Sequence, residues 1–385
     1  MTVVDIRSFF TLRNVELIEV NKDFIYYAEE KNEEGHNNLF LLEYNRATRR
    51  ERVITHYSLE DPTFVQHIYS FANSIVLLLE NGGNRVWAFR VDKETGQETV
   101  RTQLHCIGGF AGSKALDERH ILIYTQSDGE CADLFKEYQK VTGCNRVAYL
   151  YDIEKEEKFF IKNLRLCRRQ EEDFLLFSTQ EGGQVLLLEP YGDEELKQRC
   201  YRNARWIHAD IRDSLWILPV EELIEGIQKG EEDFRRRPIM TADVNGMVRF
   251  TGMDSRSIYF KAKHFPTGGE RICSYDKEDL EQPGEENWRY YFEKNGAKVY
   301  RLEEKEDDTV VVTGIVNSNI QTKYEKKLGE LVSCVEDRFL ITKKTVTDDN
   351  EHDDFEYYTI YDTVKNTEDS FECKGSVWGD TLVLY

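Results

Sequence analysis

One short pattern recurs along the chain and limits its fold more than any other feature: an Asp or Asn at a turn, up to three further residues, then a run of β-branched, aromatic and leucine side chains. It occurs eight times, as Asp23 before the run 24–27, Asn73 before 75–79, Asp117 before 121–124, Asp173 before 174–177, Asp213 before 215–218, Asp254 before 258–260, Asp337 before 339–341 and Asp380 before 382–385. Successive Asp or Asn positions lie 50, 44, 56, 40, 41, 83 and 43 residues apart. Periods of this size belong to repeat architectures, whose units bury their apolar surface only against their neighbours.

A second pattern follows the first in most units: a short apolar stretch that ends in Asp or Asn and opens into a polar turn. It closes on Asn45, Asp92, Asp152, Asp243, Asp276 and Asp362. Asp and Asn suit such a place because their side chains hydrogen-bond the backbone two or three residues on and tolerate left-handed conformations. Further strands follow, as at 51–55 and 98–103, and the segment before each first pattern, such as Phe64-Val-Gln-His-Ile-Tyr69, supplies one more. Four short antiparallel strands per unit make the blade of a β-propeller. A β-solenoid has a shorter repeat and a β-sandwich no fixed four-strand repeat, so the period favours the propeller.

Through these patterns the chain resembles the β-propeller superfamily in general, over nearly its whole length. The Trp-Asp dipeptide of WD40 repeats, the double glycines of kelch repeats in register and the Asp-box of sialidases are absent. The resemblance implies an all-β fold of seven or eight four-stranded blades forming one domain over residues 1–385. Pairing of the N-terminal segment 2–6 with the C-terminal one 376–385 would close the ring and remove two exposed edges. Residues 277–330 fit the repeat least and read as an extra blade or a decorated edge.

If the first pattern joins the first and second strands of each unit, the connections between second and third strands share the opposite face. The insertions fall there, at 31–37, 127–145, 219–238, 262–269 and 344–354. Two of them carry helical patterns. In the segment 219–230, Pro219 stands at a permissible first-turn position, apolar residues at 220, 223, 224 and 227 make a stripe, and Gly230 marks the stop. In 131–140, Leu134, Phe135 and Tyr138 lie on one side, for capping the pore or forming a partner-binding ridge. Insertions gathered on one face mark the functional face of a repeat protein.

Composition narrows the function classes. Apolar residues make up 40% and charged residues 32%, too much core material for a disordered chain and too much charge for a membrane protein. Asp5 interrupts the place where an export signal would become apolar, so a cytoplasmic location is expected, with the eight cysteines, none in a C-x-x-C pair, as reduced thiols. A net charge of −21 repels nucleic acid and anionic lipid. Neither is an expected partner.

Chemistry-bearing residues are few. Phe234, Arg235, Arg236 and Arg237 form the densest basic cluster, able to hold a phosphate, a carboxylate or an acidic peptide, or to pair with Glu231, Glu232 and Asp233. His208 with Asp210 is the most site-like histidine, on an expected innermost strand. Phe135 and Tyr138 complete the binding candidates. The acidic stretch 347–354 lacks the spacing of a calcium loop, and no G-x-S-x-G, H-E-x-x-H, Walker A or dinucleotide fingerprint occurs, so no cofactor or metal is expected. The recurring Asp and Asn residues read as turn structure, not as a ring of carboxylates. The reading these features favour is a non-catalytic module presenting its loop face to a protein or peptide. The alternative is a propeller enzyme, lactonase-like or glycan-cleaving, with polar residues converging on the central channel and a small-molecule ligand there.

Overall fold

The computed structural model describes residues 1–7, 15–33, 36–59, 63–81, 85–129, 131–163, 166, 174–180, 182–189, 214–232, 237–241, 246–253, 257–264, 269–286, 300–304, 309–316, 319–327, 330–335, 338–347, 354–362, 364–378 and 381–385. The chain divides into two compact units, one of residues 16–198 and 212–242, the other of 1–15, 199–211 and 243–385. We call the first the central unit and the second the terminal unit.

The central unit is a succession of four antiparallel meander sheets. They are β2 (Val15–Val20), β3 (Phe24–Glu33), β4 (His36–Asn45) and β5 (Arg50–Leu59); β6 (Thr63–Ser70), β7 (Ser74–Asn81), β8 (Arg85–Asp92) and β9 (Glu98–Leu104); β10 (Gly109–Ala115), β11 (His120–Gln126), β12 (Arg146–Asp152) and β13 (Glu157–Phe160); and β14 (Phe174–Thr179), β15 (Gly182–Glu189), β16 (Ser214–Pro219) and β17 (Arg237–Thr241). Helix α1 (Ala132–Thr142) lies between β11 and β12, and α2 (Val220–Lys229) between β16 and β17.

The terminal unit holds two four-stranded sheets and two of three strands among its described residues. The first is β18 (Gly246–Met253), β19 (Ser257–His264), β20 (Gly269–Asp276) and β21 (Asp279–Glu286), and the second β22 (Tyr300–Glu304), β23 (Thr309–Val316) and β24 (Asn319–Lys327). The third is β25 (Glu330–Val335), β26 (Phe339–Thr347), β27 (Asp354–Asp362) and β28 (Thr367–Glu372). In the last, β29 (Gly375–Trp378) pairs antiparallel with β30 (Thr381–Leu384), and β1 (Thr2–Asp5) joins β30 in parallel, Thr2 opposite Thr381 and Asp5 opposite Leu384. The expected partnership of the two chain ends is thus observed. Residues 300–327 form a sheet of their own.

Interior strand β7 is buried on both faces, because the second sheet lies between the first and the third. Along β7, Ile75, Leu77 and Leu79 join Leu39, Leu41 and Phe89 in one cluster, while Val76 and Leu78 join Ile121, Ile123 and Tyr151 in the next. Alternate side chains of a strand point to opposite faces, so the run Ile-Val-Leu-Leu-Leu fills two cores at once. Burying each such side chain fully is worth about 1.5–3 kcal/mol. Helix α2 covers the flank of the third and fourth sheets through Val220, Leu223, Ile224 and Ile227, all buried, and stops at Gly230 with φ 72°.

Two turn devices explain the repeated Asp and Asn. In the first turn, Asn21 Oδ1 accepts from the backbone of Asp23 and Phe24, and Asp117 Oδ1 from Arg119 and His120. The acceptor in the first unit is therefore Asn21, not Asp23. In the third-to-fourth-strand turn, Asn45, Asp92, Asp152 and Asp362 each accept from backbone N–H groups two or three residues on. The residue four positions later is left-handed every time: Arg49 at φ 55°, Gly96 at 70°, Glu156 at 56° and Asn366 at 56°. Two arginines from the first turn reach across to this carboxylate: Arg119 Nε lies 2.7 Å from Asp152 Oδ1, and Arg338 Nε 2.8 Å from Asp362 Oδ1.

Two placements differ from the sequence reading. The run after Asp173 is the first strand of its sheet, β14, and the run after Asp213 is the third, β16, so α2 lies in a third-to-fourth-strand connection and not a second-to-third one. Strands buried on both faces carry no mark of their order within a sheet, and an Asp before an apolar run suits any turn. Asp173, Asp213, Asp254, Asp337 and Asp380 themselves lie outside the described residues.

Candidate functional site

The first strands of four sheets share an irregularity that the sequence does not advertise. Pairing with the second strand shifts by one residue at Val65/His67 in β6, Phe110/Gly112 in β10, Phe250/Gly252 in β18 and Leu331/Ser333 in β25. A bulge bends the strand and re-aims the side chains around it, and bulges concentrate at sheet edges and beside functional sites. In the central unit this edge collects polar and aromatic groups.

His67 leaves the bulge of β6 stacked on Tyr69, with ring centroids 5.7 Å apart and planes at 20°. Phe110 of β10 is tilted against it, with centroids 6.2 Å apart and planes at 56°. Tyr69 and Ser113 join the two strands through their hydroxyls, 2.7 Å apart. The bulged residue, Gln66, donates to Glu80 on β7. Phe64, which shares the His67 face because both stand opposite residues of the same face of β7, is 60% exposed. Burial, and then the positive charge of Lys114, hold the His67 imidazole below the ordinary value of 6.5. On β2, partial burial of its carboxyl raises Glu16, and the charge of Glu30 adds to the shift, although the residue keeps an open side.

The chemistry this edge supports is proton transfer beside an aromatic surface. A neutral imidazole accepts a proton at physiological pH, and Lys114 favours negative charge nearby. The signal was present in the sequence as adjacent Gln66 and His67, which break the alternation of an otherwise apolar strand. A second cluster, in which His120 Nδ1 is 2.9 Å from Asp117 Oδ2 and Nε2 is 3.7 Å from Asp152 Oδ2, has the residue types of a site. Its carboxylates are the acceptors of the two turn devices, and Asp152 is fully buried, which makes it structural.

The sequence-derived candidates fall elsewhere. Phe135 is only 4% exposed and packs against Val147 and Tyr149, so it anchors α1 and is not presented to a ligand. Tyr138 is half-buried and meets Phe160 edge-on at 6.4 Å. Arg237 opens β17, its backbone opposite Ile217. Phe234, Arg235, Arg236, His208 and Asp210 lie outside the described residues. Cys106, Cys131, Cys144 and Cys373 are free thiols. No helix among the described residues is long and apolar enough to cross a membrane.

No protein-family model matches the chain, and no curated protein does. Solved structures do resemble it. An uncharacterized protein from Listeria monocytogenes is 11% identical, with 96% of this chain and 97% of that one covered and a TM-score of 0.44. The β-propeller domain of the Trilobed protease from Pyrococcus furiosus is 11% identical, with 95% and 97% covered and a TM-score of 0.42. The fold is of the β-propeller class. Oligopeptidase B from Trypanosoma brucei is 8% identical, with 94% of this chain covered and a TM-score of 0.44, and there the match spans only 49% of the other chain. The acylaminoacyl peptidase of Pyrococcus horikoshii is matched over 57% of its length. These neighbours correct the expectation of a non-catalytic binding module, because those whose names state an activity are peptidases.

Proposed function

We propose that this chain is an enzyme-associated propeller whose bulged first-strand edge, around His67, handles a peptide-like substrate. The observation that carries the reading is the His67 group: an imidazole held neutral by burial and Lys114, beside the rings of Tyr69 and Phe110, at the bulge of a first strand. Perturbed titratable groups beside an aromatic surface are the usual composition of a substrate site. Peptide-bond hydrolysis is the reaction class to examine first, taken from the named activities of the neighbours. The chain contains no G-x-S-x-G, so its own contribution is substrate binding and proton transfer, not a serine nucleophile on that motif. The free thiols fit a reducing, cytoplasmic setting.

The test is a panel of peptide p-nitroanilides and unmodified peptides, followed by hydrolysis and by calorimetric binding, with wild type and His67→Gln compared. Wild type should bind or cleave a subset containing aromatic residues, and His67→Gln should lose about tenfold or more while keeping its fold. Absence of both binding and turnover across the panel, or a His67→Gln variant equal to wild type, overturns the assignment.

A further inference from the structure

Helix α1 buries one side and leaves another open that the fold does not use. Phe135 and Tyr138 face the sheet, yet Leu134 is 54% exposed and Val141 85%. The two stand seven residues apart, two helical turns, and so lie on one flank of the helix. Phe160, 44% exposed and touching Tyr138, extends the apolar surface from the neighbouring strand. The charges beside it balance within the helix: Lys136 pairs with Asp133 at 3.2 Å and Lys140 with Glu137 at 2.5 Å. In a chain of net charge −21 this flank is a locally neutral, partly apolar surface, which a like-charged molecule can approach without the general repulsion.

The order of residues on the flank is self-complementary. Asp133 precedes Leu134 by one position and Lys140 precedes Val141 by one. Running a second α1 antiparallel, with Leu134 over the second copy's Val141, brings Asp133 within two residues of registration with its Lys140, about 3 Å along the axis. Both contacts then repeat by the two-fold, as a self-complementary interface requires. Antiparallel helices also oppose their dipoles favourably. We infer that α1 is a homodimerisation element, and that its occupant is the α1 of a second copy of this chain. An 11-residue helix is about 16 Å long, and a contact of that size with Phe160 at its edge falls short of the ~800 Å² per partner of a standard interface. The association is therefore weak, with a dissociation constant of about 10 μM or more.

The experiment is sedimentation equilibrium of the full chain across a concentration series from about 1 to 500 μM, bracketing that constant. Circular dichroism on each variant confirms its fold. Wild type should dimerise with concentration. Val141→Glu, at a position 85% exposed and therefore tolerated by the fold, should abolish the dimer. Lys140→Glu should weaken it about tenfold, and Asp133→Lys with Lys140→Glu should restore it. The double exchange breaks the pairings within one helix and preserves those between copies, so restoration distinguishes contact between copies from helix stability. A chain that stays monomeric throughout, or a dimer unaffected by Val141→Glu, overturns the inference, the former leaving a different protein as the occupant of the flank.

Discussion

Replacing Lys93 by Met should destabilise the central unit by about 3 kcal/mol, and the contacts show why. Lys93 follows Asp92 in the turn after β8 and is only 6% exposed. Its ammonium donates to Glu19 Oε2 at 2.7 Å and to the Phe71 carbonyl at 2.5 Å, and lies 4.2 Å from the centre of the Tyr26 ring. Glu19 also accepts from Ser70 and Asn21. Although partial burial alone would raise the Glu19 carboxyl, the hydrogen bonds from Lys93, Ser70 and Asn21 prevail and hold it below its usual value. Removing one partner of a fully buried pair costs about 3–5 kcal/mol. The Glu19 side chain is 31% exposed and keeps two donors, which reduces that part to about 2 kcal/mol. The orphaned Phe71 carbonyl adds about 1 kcal/mol. Met retains the length of the stem over Tyr26, so packing changes little. Urea titration of wild type, Lys93→Met, Glu19→Gln and the double variant measures the coupling. A loss below about 1 kcal/mol for Lys93→Met, or a double variant no better than the sum of the singles, would refute this account of the first two sheets.

Other outcomes follow from the turns and the first-strand edge. At the shared left-handed turn position, Glu156→Gly should raise stability by about 0.5–1 kcal/mol by relieving strain, while Gly96→Ala should lower it by about 1–3 kcal/mol because the new Cβ would run into the Ile54 carbonyl; thermal melts decide both. Arg338 holds the Asp362 carboxyl far below its usual 3.8, and at Asp152 burial pushes upward but the Arg119 hydrogen bonds prevail. Both carboxyls titrate lower folded than unfolded, so their stabilisation is complete above about pH 4 and fades as pH falls toward the folded values. An Arg119→Met, Arg338→Met double variant should melt lower than wild type at pH 7 and show a shallower acid decline; equal slopes would contradict the pairing. His67 titrates below 6.5 when folded, so the native state favours its neutral form, and stability is lost as pH drops through about 6.5 toward the folded value. His67→Gln should flatten the stability curve in that window, and an NMR titration of the ring at or above 6.5 would disprove the burial argument.

Much of the architecture was legible because each element is written locally. The run Ile75–Leu79 announces a strand buried on both faces, and the stripe 220, 223, 224, 227 with Gly230 announces α2. Asp117, Asn45, Asp92, Asp152 and Asp362 were legible as turn acceptors, since an Asx turn needs only its own next three residues, whereas in the first unit the acceptor is Asn21 and not Asp23. Strand order was harder to read: Leu215–Leu218 looks the same as the third strand of its sheet as it would as the second, and only the pairing of β16 with β15 and β17 sets its rank. Phe135 and Leu134 were indistinguishable as members of one helical side, yet the first is enclosed by Val147 and Tyr149 and the second faces solvent.

The sequence alone therefore determined the all-β class, the meander unit and its turns, because alternation, β-branching and Asx capping are nearest-neighbour physics. The tertiary structure alone decided the His67 edge. That edge depends on β6 and β10 lying side by side, 44 residues apart in sequence at Tyr69 and Ser113, and on a bulge whose position is fixed by cross-strand register. The shift of a titratable group comes from the burial and charge that distant segments impose, which no local pattern records.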